Sequence, residues 1–454
     1  MQPNAAEILV DHALALRWKD IAAPAREAAK IFLHDTLAVG VAGRKAAHAD
    51  AVLATAQAWG EGLQASVLGW PGLRLPAPSA AFVNAFQIHG QEYDCVHEPA
   101  VLHPMATVLA ALLAEADRGA PVDGSAFLTA IVAGVDVAVT LGLAATGPLS
   151  FFRPATAGIF GCVAAVASLR RMEREQALDA FGHALAFSSG TMQAHVEGKP
   201  ALPVQVANAA RCALIAVDLA RGGMPGVRHP IDGPFGYFAL LEVKEELAPA
   251  LARLKSGHRI TEISWKPFPT GRAAHVGILA MQRLMAQHGV RGETLDQFEL
   301  RAPPLIHRLV GRPAEAAMEP GYARLCLPWL AAITLLRGTV SLSDFKRESL
   351  SDPSALALAK RIAVLPDNNP DLAAFVPAVA VARMTEGREL TEHVAAQFGS
   401  PEWPLTWDQH MEKVRGCLAF AGLEHAHAPL ADMIEKIDQM NDAASALRAT
   451  GIMG

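Results

Sequence analysis

The sequence predicts a mainly α protein: a large all-α helical domain joined to a smaller α+β domain. Three observations predict it. Apolar, Ala-rich stretches at helical spacing follow one another up to about residue 260, with no convincing strand pair among them. Strand-like alternation appears only from Gln297 to Val394, broken by turn signals. Helical sequence resumes after Pro401–Trp407. The expected helical domain is therefore discontinuous, 1–261 and 399–454, and the smaller domain is 262–398. With 454 residues, 52% hydrophobic and 19% charged, the chain is long enough for more than one core and too apolar for disorder.

In chain order, Ala5–Arg17 reads as the first helix. A second starts at Pro24, where proline suits a first turn, and ends near Gly40–Gly43. It contains His34 and Asp35, which read as core groups needing partners. Ala47–Trp59 is helical, and Gly60–Pro76 is a hairpin or loop. Helices at 78–89 and 104–117 flank a polar strip. Asp123–Thr146, Thr156–Leu169, Glu175–Gly190 and Val206–Gly222 continue the bundle, with small residues that favour close helix contact. In the smaller domain, strands are expected at the start of Gln297–Val310 and at Lys360–Leu365, Val379–Met384 and Gly387–Val394. Helices lie between them at Ala273–Gln287 and Tyr322–Leu336. Asp408–Phe420 and Pro429–Arg448 are the closing helices.

A net charge of −6, with no basic block, argues against a nucleic-acid partner. The longest apolar runs, such as Ala155–Leu169, contain glycine and fall short of the ~20 residues of a membrane span. Five widely spaced cysteines fit free thiols in a reducing compartment, and the N-terminal stretch lacks a basic signal-peptide start, so a cytoplasmic location is expected.

The densest chemistry lies in Gln87–Met105, which holds His89, His97, His103, Glu92, Asp94, Glu98 and Cys95. Glu92, Asp94 and His103 can form a carboxylate–imidazole acid/base set; the alternative is a solvated or capping loop. No close-spaced histidine pair points to a metal. In Lys266–His275, two prolines stiffen a loop and Lys266, Arg272 and His275 bring positive charge to a helix start, which suits a carboxylate. The alternative is an exposed boundary loop. Arg153 and Thr156 at another helix start form a second candidate anion site, or a plain helix start. Tyr322, one of three tyrosines, is a candidate proton donor or a packing residue. Gly190–Gln205 and Asp232–Phe238 can line a pocket with His195, Lys199 and Gln205, or simply turn the chain. Nucleotide, flavin and pyridoxal motifs are missing from the sequence, so no cofactor is expected.

Taken in order, HDTLAVGVAG at 34–43, AAFVNAFQIHGQEYDCVHEPAVLHP at 80–104, R-P-A-T-A-G-x-x-G at 153–161, DGPFGYF at 232–238, KPFPTGRAAH at 266–275, YARLCLP at 322–328 and the late stretch ending MEKVRGC resemble the MmgE/PrpD family. That family includes 2-methylcitrate dehydratases, cis-aconitate decarboxylases and an iminodisuccinate epimerase. The resemblance covers nearly the whole chain. It implies that the smaller domain is a lid, that the active site lies between the domains, and that the protein is a homodimer. It also implies cofactor-free, metal-free proton transfer beside a carboxylate.

Position by position, His103 fits the family's His-Pro histidine, Lys266 the lysine of K-x-x-P, and Tyr322 its tyrosine. Glu92 takes the first acidic position of the family's D-x-D-D run, and Cys95 replaces a later Asp. Arg153 stands where many members have His, Leu202 where several have Lys (a shifted gap brings Lys199 there), and Gly271 where the decarboxylases have His. These departures point away from cis-aconitate decarboxylation. The expected function is a hydro-lyase on a small di- or tricarboxylate. His103, oriented by Glu92 or Asp94, would move the proton, Lys266 would stabilise developing charge and Tyr322 would protonate the leaving group. Arg153, Thr156, Arg272, His275 and His97 would bind substrate. An isomerase or epimerase, or a non-catalytic metabolite-binding protein, are the alternatives.

Overall fold

The computed structural model describes residues 3–454. Its first half is a bundle of helices, the longest being Ala23–Ala42, Gly124–Ala144 and Ala201–Arg221. Local chemistry marks the ends. Asn4 and Glu7 form a reciprocal cap on Ala5–Ala15, the Asp123 side chain caps Gly124–Ala144, and Thr406 with Gln409 caps Trp407–Ala421. Glycine sets the tightest crossing. A Cβ on Gly134 would lie 2.8 Å from the Gly161 carbonyl, and one on Gly161 2.7 Å from the Gly134 carbonyl. The Gly124–Ala144 and Gly158–Arg170 helices therefore touch backbone to backbone.

The Gly124–Ala144 helix corrects one expectation. At 21 residues with mean hydropathy 2.1, it is long and apolar enough for a bilayer, as is Ala201–Arg221. In the sequence, Asp136 interrupts the apolar run, so the run reads as shorter than the helix. The helix is a core element: 89% of its apolar window is buried against neighbouring helices.

A two-residue pair, β1 (Ala65–Ser66) with β2 (Arg74–Leu75), closes the expected hairpin. The main sheet contains β3 (Leu295–Ala302), β4 (Ile362–Pro366), β5 (Ala378–Met384) and β6 (Glu389–Val394) in the order β4-β3-β5-β6. β3 pairs parallel with β4 and antiparallel with β5, so it is central. Along β5, Ala378, Ala380, Ala382 and Met384 are buried, as a sheet covered on one face requires. The covering helix His275–His288 packs on β5 and β6. Only the first part of Gln297–Val310 is strand. Pro303 and Pro304 cannot donate to a ladder, and Pro304–Val310 is helical. Pro429–Arg448 is likewise broken, into helical pieces 427–436, 437–439 and 443–449. Trp407–Ala421 packs on Ala23–Ala42, tied by a buried Lys413–Asp35 ion pair of 2.7 Å.

Candidate active site

The polar strip is held by two unlike constraints. Gly90 ends the Ala77–His89 helix, its N–H donating to the Phe86 carbonyl. Glu92 and Val101 then adopt left-handed backbone (φ 49° each), which is costly for non-glycine residues. Reciprocal hydrogen bonds between His97 and Leu102 close the loop, and a Val96–Ser264 pair (3.0 and 2.8 Å) joins it to the stretch bearing Lys266. Arg324 donates to the carbonyls of Gln91 (2.8 Å) and Pro269 (2.6 Å), fastening the same two segments again. Lys266 is thereby fixed opposite the strip.

At the centre, Asp94 is fully buried. Its Oδ2 lies 3.0 Å from His89 Nδ1 and 3.1 Å from His103 Nδ1; the second contact is close but off-line for a hydrogen bond. An ionised carboxylate only accepts, so Asp94 favours hydrogens on both Nδ1 atoms. That leaves His103 Nε2 with its lone pair. The two rings differ electrostatically. Burial depresses His103, Lys266 adds to that, and Asp94 only partly offsets it, so its pKa lies below 6.5. Burial also works against a charged His89, but Asp94 and Glu92 outweigh it and raise its pKa. Opposite shifts make His103 the readier of the two rings to stay neutral and His89 the readier to hold a proton. Asp94 itself stays well below the usual carboxylate range: burial opposes this, and His103 and His89 override it.

Lys266 is fully buried, and an isolated ammonium there would cost several kcal/mol. Its Nζ reaches Glu92 Oε2 at 2.8 Å, the Glu92 carbonyl at 3.2 Å and Asp94 Oδ1 at 4.0 Å. Burial would raise Glu92, yet Lys266, His89 and His103 pull it down to about 2. The group faces a small cleft of about 60 Å³, partly open to solvent, between the bundle and the Gly271–Phe375 region. Glu92, His103, Arg153, His195 and Arg272 are its polar lining; Leu149, Phe152, Met192, Leu309, Val310 and Phe375 are among its apolar walls. His89, Asp94 and His103 also bring three donor atoms within 4.8 Å, as do His12, Asp136 and His258 elsewhere, so either group could hold a metal ion.

Residues 7–250 match the MmgE/PrpD N-terminal domain and residues 268–439 the MmgE/PrpD C-terminal domain. The chain belongs to the MmgE/PrpD family. Cis-aconitate decarboxylase of Homo sapiens is 24% identical over 85% of this chain and 82% of its own length. The Mus musculus enzyme of the same name is 24% identical over 91% and 87%. Cis-aconitate decarboxylase-like protein oryM of Aspergillus oryzae is 25% identical over 88% and 87%.

In this MmgE/PrpD chain, Glu92, Asp94, His103, Lys266, Arg153 and Arg272 come together, and several other expected residues do not. Tyr322 is a correction: its hydroxyl donates to the Pro313 carbonyl at 2.8 Å, away from the cleft lining. Thr156 is fully buried, with its hydroxyl 3.4 Å from Tyr237, because it faces into the bundle from its short helix. His97 accepts from the Ala100 amide at Nδ1 and meets Glu262 at Nε2 (3.0 Å), which makes it a loop latch. His275 lies beneath Arg272 (3.2 Å) and against Phe268, outside the lining. Arg153 and Arg272 do line the cleft, but neither is a free cation. Arg153 meets Glu242 through Nε and Nη2 (both 3.1 Å), and Arg272 meets Glu98 at 2.7 Å. Sequence reasoning gave His89 no role and missed Glu242 entirely. His89 was findable, since it ends a helix three residues before Glu92. Glu242 carries no local signal.

Proposed function

We propose that this protein is a cofactor-independent lyase that moves the proton alpha to a carboxylate in a small carboxylate substrate, most simply a hydro-lyase. The observation that carries the reading is the pair of histidines on one buried aspartate: Asp94 Oδ2 lies 3.0 Å from His89 Nδ1 and 3.1 Å from His103 Nδ1, with His103 lining the cleft and His89 sealed behind it. His103 Nε2 takes the α-proton. The Cα–H electron pair forms the new Cα=Cβ bond as the β C–O bond breaks. The leaving hydroxide recovers a proton from His103 and departs as water, so the base ends as it began. Lys266 opposes the negative charge that builds on the substrate carboxylate, and Asp94 and Glu92 favour the charged form of His89 behind it. Tyr322 has no part in this scheme. Decarboxylation, the activity named for the relatives, is the second reading and uses the same residues. We also propose that the smaller region acts as a lid and that the chain works as a homodimer.

Proton NMR in deuterium oxide, with β-hydroxy mono-, di- and tricarboxylates and cis-aconitate, tests this. A new alkene signal without carbon dioxide release supports dehydration, and carbon dioxide release supports the second reading. Deuterium entering the α-position with no elimination supports an isomerase instead. A panel giving no product and no exchange would remove the enzyme reading.

A further inference from the structure

His195 lines the cleft together with Glu92 and His103 and has no part in the proton transfer at His103. It sits on the short Gln193–Glu197 helix, which is tied to the start of the Arg153 helix: the Phe152 amide donates to the Gly190 carbonyl and the Met192 amide to the Ser150 carbonyl. Arg312 holds it from another side. Arg312 Nη2 donates to the His195 carbonyl at 2.7 Å and lies 3.5 Å from the ring Nδ1. The guanidinium is itself held by the Tyr322 ring, 5.0 Å away. It fits because residue 198 is glycine: a Cβ there would lie 2.9 Å from Arg312 Nη1 and 2.6 Å from Tyr322 Cα.

A guanidinium only donates, so a hydrogen on Nδ1 would set two donors against each other. Nδ1 therefore keeps its lone pair towards Arg312, and the ring hydrogen sits on Nε2. Among the described residues Nε2 has no partner, and it is not sealed. His195 lines this cleft and not the neighbouring cavity that Arg153 and Arg308 share. Burial first, then the Arg312 charge, lowers its pKa to about 4 against the pull of Glu92, so the ring is uncharged near neutrality. The arrangement reverses that of His103, whose Nδ1 faces the Asp94 carboxylate. One carboxylate and one guanidinium thus give the cleft a ring that accepts and a ring that donates. Lys266 cannot be that donor, because it is fully buried and bound to Glu92. We propose, resting on the lyase reading above, that His195 is a second catalytic residue: its Nε2–H donates to the substrate carboxylate oxygen that gains negative charge as His103 takes the α-proton. The hydrogen stays on Nε2 throughout, and the bond strengthens as charge builds on the oxygen. Arg312 is the positioning residue that fixes the tautomer.

Two measurements test this. The first needs no substrate: nitrogen NMR of the full chain, labelled at its histidines, reads the tautomer near neutral pH. The His195 signals are those lost in His195→Gln. A protonated Nε2 with a bare Nδ1 is expected, and Arg312→Met should let the two tautomers mix. A hydrogen on Nδ1, or on both nitrogens, in wild type would overturn the proposal. The second is kinetics with the acid of the NMR panel that wild type turns over. His195→Phe keeps the bulk and removes the donor; kcat should fall by about 10²–10³, the usual loss for one such donor, with KM changed less than about threefold. His195→Gln returns an N–H at similar reach and should lose only about tenfold, a recovery that a packing role would not give. Wild-type kcat in His195→Phe, or equal losses in both variants, would overturn the proposal and leave the lyase reading standing. No turnover of any acid by wild type would remove the lyase reading and this proposal with it.

Discussion

Asp94 and Asp136 each offer one carboxylate oxygen to two imidazoles. Asp136 Oδ2 sits 2.9 Å from His12 Nε2 and 2.7 Å from His258 Nδ1, and its Oδ1 accepts from the Arg259 amide at 2.7 Å. Distances and donor types nearly repeat those around Asp94. The surroundings differ. His12 and His258 keep 14% and 13% of their side chains exposed, and the cluster staples the Ala5–Ala15 helix and the 257–262 turn to the Gly124–Ala144 helix. At Asp94, one ring is sealed, the other faces a cleft, and Lys266 and Glu92 add charges that push the two rings apart. The triplet alone therefore does not define an acid/base device. A cleft and an asymmetric set of neighbouring charges do. Around Asp136, the same three groups hold helices together.

Breaking the Asp94 cluster should cost the most. His103→Gln keeps the volume and removes the base; we expect kcat to fall by about 10³ or more, within or beyond the usual range for a general base, with the melting temperature nearly unchanged. Turnover that survives would assign the proton to another group. Asp94→Asn should lower kcat by roughly 10²–10³ through loss of ring orientation, and should also destabilise the fold by about 3 kcal/mol, because His89 and Lys266 lose a buried counter-charge. Urea unfolding beside kinetics separates the two effects.

Much of this wall was legible in the sequence, and the reason is local. Glu92, Asp94 and His103 lie within one short strip, and K-P-F-P announces a stiff loop at Lys266. The helices were legible because apolar spacing and end residues are also local signals. The cations were misread because a counter-ion is a tertiary fact. Arg153 finds Glu242 across 89 residues and Arg272 finds Glu98 across 174, and no pattern in either segment foretells it. Tyr322 failed for a similar reason. Its helix is short, and the hydroxyl turns back to Pro313 and Glu315 just upstream.

The comparison sharpens at Asp136. Asp136→Asn should leave kcat within about twofold while costing about 1–3 kcal/mol, the penalty for disturbing a buried, fully used carboxylate. Chemical denaturation beside kinetics reads both quantities. A large loss of turnover at unchanged stability would mean that this cluster, too, takes part in the reaction.

The smallest effect is a displacement along the pH axis. A histidine base works when neutral, so kcat/KM is level above its pKa and falls as pH drops through it. An unperturbed imidazole would place that fall at 6.5; burial and Lys266 hold His103 lower, so the acid limb should lie below 6.5. The profile must be collected where the fold is intact, because His34 and His410 are held neutral in the core at about 3 and about 4. Unfolded histidines take up protons near 6.5 and these two do not until lower pH. Stability is therefore full above 6.5 and declines as pH falls towards 4, by up to about 1.4 kcal/mol per pH unit for each. His410→Gln removes one of these protonation sites and should lessen the slope of stability with pH. It should leave the kinetic limb in place, because His410 partners His34 and not the cleft. A limb that moved with His410 would mean that the activity profile reports unfolding, and the assignment of His103 as the neutral ring would lose its kinetic support.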